Sequence, residues 1–188
     1  FNNIEMPLVQ VLGEMQFNGM PIDKDELVAF GNKLKEQIES LKQEIYKSVG
    51  EEFNINSTKQ LGEILFEKLK LTAKKKTKTG YSTDVDVLEK IKYEHPVIEK
   101  ILEYRQLQKL NSTYVEGLIP YIDETGRIHS KFHQTVTTTG RISSTDPNLQ
   151  NIPTRMELGR KLRKVFKPEQ GYIFVDADYS QIELRVLA

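Results

Sequence analysis

The chain contains no cysteine and no long run of apolar residues. Without cysteine it can form neither a disulfide framework nor a thiolate zinc site, which agrees with a reducing compartment. No segment approaches the roughly 18 apolar residues that a membrane span needs, and the first residues lack the layout of a signal peptide. We therefore expect a cytoplasmic protein that has no membrane partner.

Composition favours a folded chain with an uneven distribution of charge. The 188 residues are 38% hydrophobic, which is far from the signature of disorder. The formal net charge is zero, but residues 65–80 hold 6 basic and 1 acidic group, and residues 127–167 hold 9 and 2. Two basic islands indicate a polyanion bound at two places, although a lysine run taken alone is better explained by a solvated loop.

Helical spacing of apolar residues dominates the first 120 residues. One stripe runs from Ile4 to Met15 and ends at the turn of residues 19–21. A second runs from Leu27 to Ile45, with Asp23 and Glu26 in capping-box spacing before it and Gly50 at its end.

Three further helices are predicted after the second stripe, two short ones and one long one. Ser57 with Gln60 opens one that reaches Leu69, and Thr83 caps one that reaches Ile91. Pro96 begins another that reaches about residue 120.

The character of the sequence changes after residue 125. Residues 128–138 alternate in the manner of half-buried strands, residues 157–166 suggest a short helix, and residues 172–175 resemble a buried strand. Ser180 and Glu183 repeat the capping-box spacing before a final helix. We predict a domain boundary near 125, and because one strand cannot form a stable sheet, we expect the native protein to continue past Ala188.

Two carboxylates follow the last predicted strand. Asp176 and Asp178 flank Ala177, so a strand would direct both side chains to one face. Mg²⁺ is commonly held by one or two carboxylates together with substrate phosphates, so one aspartate here would be half of a metal site. On spacing alone, a strand-ending or helix-capping role explains the pair equally well.

Two motifs resemble family A DNA polymerases. Residues 178–185, Asp-Tyr-Ser-Gln-Ile-Glu-Leu-Arg, match the first catalytic motif of that family, and residues 139–153 are similar to its palm signature. Residues 5–8 and 75–82 resemble its thumb. The resemblance implies a mostly α chain: a helical thumb over 1–125 with a basic tip near 74–80, then an incomplete α+β palm over 126–188.

The same resemblance implies roles in catalysis and nucleotide selection. Asp178 would be the first of two metal-binding aspartates, with the backbone carbonyl of Tyr179 completing its contact and two Mg²⁺ ions in the complete site. Glu183 would occupy the space of a ribose 2′-hydroxyl, and a simple N3 capping role is compatible with this. The remaining nucleotide-binding candidates are Ser180, Gln181, Ile182 and Arg155.

The implied partners are a primer–template duplex and deoxynucleoside triphosphates, with no obligate protein partner. Arg141, Gln150 and Asn151 would face the minor groove, where acceptors sit alike in every correct base pair, so that donors check geometry without reading sequence. Asn148 is a further DNA-binding candidate. Sequence-blind phosphate attraction is expected from two sets of cations, Lys74, Lys75, Lys76 and Lys78 at the tip and Arg160, Lys161, Arg163 and Lys164 further on.

Nothing in the sequence matches the fingers helix or the motif that supplies the second aspartate of that family. We therefore expect the fragment alone to be inactive. One alternative is a non-enzymatic helical module that binds nucleic acid. Another is a phage, organellar or repair-type member of the same family.

Overall fold

Helices α2 (Lys24–Val49) and α5 (Val97–Leu110) pack against each other at the centre of the molecule. The structure, a computed structural model, describes residues 1–72, 76–77, 80–154 and 157–188. About half of these residues are helical, and the strands are short. None of the helices in the described ranges has the length and apolar character to cross a membrane.

The second predicted helix, α2, begins and ends where its capping residues lie. Asp23 Oδ1 accepts a hydrogen bond of 2.8 Å from the backbone N–H of Glu26, which satisfies a first-turn donor. Gly50 closes the helix in the left-handed region at φ +83°. The predicted apolar stripe is confirmed as the core-facing side, since Leu27, Leu34, Ile38 and Ile45 are all buried.

Shorter helices follow α2. Helix α3 (Thr58–Gly62) is capped by Ser57, whose hydroxyl accepts from the N–H of Gln60, and continues as a π-helical segment, Glu63–Lys68. Helix α4 is Val85–Lys90. Helix α5 continues as a π-helical segment, Asn111–Glu116, and a 3₁₀ turn over Ile119–Tyr121 follows.

The predicted cap of α4 was wrong. Asp84, not Thr83, is the residue at the N-cap position, and Thr83 is buried instead. The Arg105 guanidinium donates to both the carbonyl and the hydroxyl of Thr83. The hydroxyl of Thr83, which local spacing predicted as the cap, therefore accepts a hydrogen bond from the distant Arg105 instead.

Helix α1 (Glu5–Asn18) forms as predicted but leaves most of its apolar stripe exposed. Leu12 is buried, whereas Ile4 and Met15 are exposed by 70% and 49%. The helix is attached near its end by Arg127, whose Nη1 donates to the carbonyls of Asn18 and Gly19 at 2.6 and 3.1 Å.

Three antiparallel strand pairs make up the described sheet structure. Strand β1 (Met20–Pro21) pairs with β4 (Arg127–Ile128), β2 (Lys76–Thr77) with β3 (Gly80–Tyr81), and β5 (Lys131–His133) with β6 (Ser143–Thr145). In the last pair Phe132 lies opposite Ser144. The strands predicted within 128–138 are thus confirmed up to residue 133.

The core continues from the helices into the second half of the chain. Ile128, Leu162 and Val165 belong to the same buried cluster as α2 and α5. Helix α6 (Glu157–Arg163) lies so close to the preceding segment that a Cβ on Gly159 would meet the Pro153 carbonyl at 2.5 Å. The boundary near residue 125 stays a prediction.

The strand predicted at residues 172–175 was wrong. These residues have no regular structure, and Ile173 and Val175 are exposed by 82% and 84%. Within the described residues no strand lies beside them, and an extended segment without a partner has no ladder of hydrogen bonds to hold it. Without a strand, the backbone does not direct Asp176 and Asp178 to one face.

Candidate functional site

The residues predicted to face a minor groove lie around strand β6. Arg141 precedes β6, and Asn148, Gln150 and Asn151 follow it; all four are exposed. The side-chain amide of Gln150 donates to the carbonyl of Ile142 at 3.1 Å, so that Gln150 returns to the chain beside Arg141. This hydrogen bond brings Gln150 beside Arg141, and Asn148 and Asn151 lie on the same loop after β6.

Hydrogen bonds within residues 148–151 shape the loop that carries three of these donors. Asn148 Oδ1 accepts from the backbone N–H of Gln150 at 2.9 Å, which is an Asx turn. The carbonyl of Asn151 accepts from the hydroxyl of Tyr114, which lies in the π-helical continuation of α5. The loop is thereby attached to the helical half of the molecule.

Arg141 also contacts the catalytic motif of residues 178–185. Its Nη2 lies 3.3 Å from Glu183 Oε1, although 42 residues separate the two in the chain. Both side chains are largely exposed, and an exposed ion pair contributes little to stability. The contact nevertheless brings the candidate sugar-gate carboxylate to a candidate minor-groove donor.

Asp178 and Tyr179 lie in an exposed, irregular segment before helix α7 (Ile182–Leu187). The described residues include no group of three or more His, Cys, Asp or Glu that could hold a metal. The metal ligands available here are the Asp178 carboxylate and the Tyr179 carbonyl, both hard oxygen ligands of the type that Mg²⁺ prefers. They would supply part of a coordination sphere.

The predicted capping box at Ser180 was wrong. The N-cap position of α7 is Gln181, in the left-handed region at φ +54°, and no side chain caps the helix. Arg185 Nε donates to the Ser180 carbonyl at 2.8 Å instead. Glu183 lies in the first turn of α7, and its carboxylate turns toward Arg141.

Several predicted site residues lie outside what the structure describes. Arg155 and the tip lysines Lys74, Lys75 and Lys78 fall in the gaps, and only the backbone of Lys76 is described, in β2. The second basic set is exposed on and just after α6, where Lys161 pairs with Glu157 at 2.8 Å.

An acidic and basic cluster between the two halves was missed by sequence reasoning. Asp123 accepts from the backbone N–H of Arg127 and from Thr125, and these hydrogen bonds, with one from His129, lower its pKa to about 2. His129 has the Gln16 carbonyl at 2.7 Å and Asp123 at 3.1 Å, and both contacts raise its pKa. The signal available in the sequence was the Asp-x-Thr-Gly turn at residues 123–126.

Comparison with known proteins gives concordant results over most of the chain. The family model described as DNA polymerase family A matches residues 24–188. The chain is 57% identical to DNA polymerase I of Lactococcus lactis subsp. cremoris over 187 residues, and 53% identical to that of Bacillus subtilis over 190 residues. Each match covers 100% of this chain but only 21% and 22% of the relative, so the chain spans about a fifth of their length.

A solved structure shows the same fold. The POL domain of Pol1 from M. smegmatis, in complex with DNA primer-template and dNTP, matches with a TM-score of 0.89 and 40% sequence identity. The match covers 98% of this chain and 33% of that one. With a family match over most of its length and relatives more than half identical, the chain belongs to DNA polymerase family A.

Proposed function

We propose that this chain forms the duplex-contacting part and the first metal-binding part of a DNA-directed DNA polymerase that extends a primer on a template. The observation that carries the proposal is the contact between Arg141 and Glu183, which joins the two family motifs at 3.3 Å. A donor for the primer terminus and a carboxylate for the incoming sugar must lie side by side in such an enzyme. The DNA and dNTP bound to the M. smegmatis relative support this choice of substrates.

The duplex would lie against the surface that carries Arg141, Asn148, Gln150 and Asn151. Their amide and guanidinium groups are donors, and minor-groove acceptors occupy nearly equivalent places in all correct base pairs. The exposed cations on and just after α6 would add attraction to phosphates, and so would the lysines predicted at the tip, Lys74, Lys75, Lys76 and Lys78. Such a protein works where the chromosome is, in the bacterial cytosol.

Nucleotide addition would take place beside Asp178 and Tyr179, whose oxygens would hold Mg²⁺. When bound, the metal ions lower the pKa of the primer 3′-hydroxyl and neutralise charge on the triphosphate. Glu183 would exclude a ribose 2′-hydroxyl by occupying its space. Ser180, Gln181, Ile182 and Arg155 would line the nucleotide, and we infer that the 188-residue chain alone is inactive.

The test is primer extension by the full-length polymerase that contains this chain. It carries Asp178→Ala, and Asp176→Ala in the same polymerase is the matched control. We expect the first variant to lose nucleotide addition and to retain duplex binding, because the phosphate contacts are unchanged. The control removes the neighbouring exposed carboxylate of Asp176, which lies outside the family's metal-binding set, and should extend primers normally. Substantial extension by Asp178→Ala would refute the assignment.

Duplex binding by the tip lysines can be measured separately. Phosphate contacts release counterions, so the log–log dependence of affinity on salt has a slope of about −0.9 per contact. Replacing Lys74, Lys75, Lys76 and Lys78 by Ala should flatten that slope and weaken all sequences alike. An unchanged slope would make the lysine run a solvated loop.

A further inference from the structure

Two buried serines hold the loop of residues 146–151 from beneath. Ser130 lies between β4 and β5 and is exposed by 4%, and Ser144 lies on β6 and is exposed by 1%. Their hydroxyl oxygens are 2.7 Å apart. Neither residue is one of the predicted DNA contacts, and buried hydroxyls are usually kept because they have a hydrogen-bond partner.

The hydrogen bonds of the two serines reach the loop at Pro147 and Leu149, and Ser130 Oγ also lies 3.3 Å from the carbonyl of Thr145 on β6. The backbone N–H of Leu149 donates to Ser144 Oγ at 3.2 Å, and Ser130 Oγ lies 2.8 Å from the carbonyl of Pro147. Each hydroxyl has one proton. All four groups are satisfied when Leu149 donates to Ser144, Ser144 to Ser130, and Ser130 to Pro147. This chain of hydrogen bonds holds the loop backbone at Pro147 and at Leu149, on either side of Asn148. Linked hydrogen bonds strengthen one another.

Tyr114 fixes the far end of the same loop. Its hydroxyl donates to the carbonyl of Asn151, and its ring is buried in the helical core. A phenol hydroxyl keeps its proton at neutral pH, and burial raises the pKa of Tyr114 further. The loop backbone is thus held at Pro147, Leu149 and Asn151, while the side chains of Asn148, Gln150 and Asn151 remain exposed.

We propose that Ser130, Ser144 and Tyr114 are positioning residues that hold the loop's minor-groove donors at fixed places, so that a mispaired primer terminus is rejected. The inference rests on the proposed function. A donor checks pairing geometry only if it cannot follow a displaced acceptor. Loops are normally mobile, and three anchors to buried groups remove that freedom before the duplex arrives.

The test compares extension of matched and mismatched primer termini by the full-length polymerase that contains this chain. Variants Ser144→Ala and Tyr114→Phe each remove one anchoring hydroxyl, and Tyr114→Phe keeps the buried ring. The matched controls are Ser40→Ala, at an exposed position of α2, and Tyr93→Phe, since Tyr93 is exposed by 87%. The readout is the ratio of kcat/KM for the matched terminus to that for the mismatched one, at a temperature where circular dichroism shows every variant folded.

We expect Ser144→Ala to lower this ratio about tenfold, because it leaves the Leu149 N–H without its partner. Tyr114→Phe should lower it less, and the controls should change it less than about twofold. A merely structural role would reduce the active fraction and leave the ratio unchanged, so an unchanged ratio in both variants overturns the proposal. Absence of primer extension in the unsubstituted protein would overturn the proposed function and this inference together.

Discussion

The helical range of residues 24–118 differs from the C-terminal range of residues 168–188 in burial. The helical range is well packed, whereas the range that carries the catalytic motif is exposed. The first range supplies most of the buried core, and Leu27, Ile101 and Leu65 are fully enclosed. The second carries the more specific motif, yet each of its residues is exposed. Packing therefore determines the shape of the helical part, while the motif-bearing segment is held to the rest of the chain by ion pairs, Arg141 with Glu183 and Arg127 with Glu169.

A pair of isoleucines gives the largest expected contrast. In the 188-residue chain, Ile101→Ala removes a side chain that is fully buried on α5 and should cost about 2–5 kcal/mol of unfolding free energy. Ile173→Ala, at a position exposed by 82%, should stay within about 0.5 kcal/mol. Urea unfolding followed by circular dichroism measures both. Similar losses would mean that the second segment is packed after all.

Two helical glycines sharpen the comparison within the helical part. A Cβ on Gly31 of α2 would lie 2.5 Å from Cγ1 of buried Val115, so Gly31→Ala should destabilise by about 1–3 kcal/mol. A Cβ on Gly13 of α1 meets nothing within 4 Å, so Gly13→Ala should stabilise by up to about 1 kcal/mol. Thermal unfolding gives the signs, and stabilisation by Gly31→Ala would contradict the close packing of α2.

A smaller effect is expected at the junction of the two halves. The pKa of Asp123 is about 2, below its usual 3.8, so its contribution to stability is present above about pH 4 and is lost as pH falls toward 2. Asp123→Asn should therefore lose less stability between pH 5 and pH 2.5 than the unsubstituted chain. Asp86→Asn controls for removal of an exposed carboxylate, and equal pH dependence in all three proteins would exclude the hydrogen-bonded carboxylate as the cause.

The smallest effect concerns the ion pair that joins the two motifs. A double-mutant cycle with Arg141→Ala and Glu183→Ala should give a coupling energy below about 1 kcal/mol, because both side chains are largely exposed. The coupling should disappear in high salt. A larger, salt-resistant value would show that the segment of residues 168–188 is held more firmly than its exposure indicates.

Local signals predicted the helices well and their ends less evenly. Helix α1, the buried stripe of α2, the caps at Asp23 and Ser57, and the left-handed Gly50 are confirmed, because each depends on residues within one or two turns. Thr83 failed as a cap because Arg105, 22 residues away, binds it. The strand at 172–175 failed because a strand also needs a neighbour, which no local pattern supplies.

The sequence by itself determined the family, through two motifs whose residues and spacing need no structure to be recognised. It also determined the helical character of the first half, since periodicity reflects burial on one face. Only the tertiary structure decided that Arg141 meets Glu183, that Tyr114 reaches Asn151, and that two serines 14 residues apart join beneath one loop. Such contacts depend on how distant segments pack, and a hydroxyl or guanidinium has many possible partners until the fold selects one.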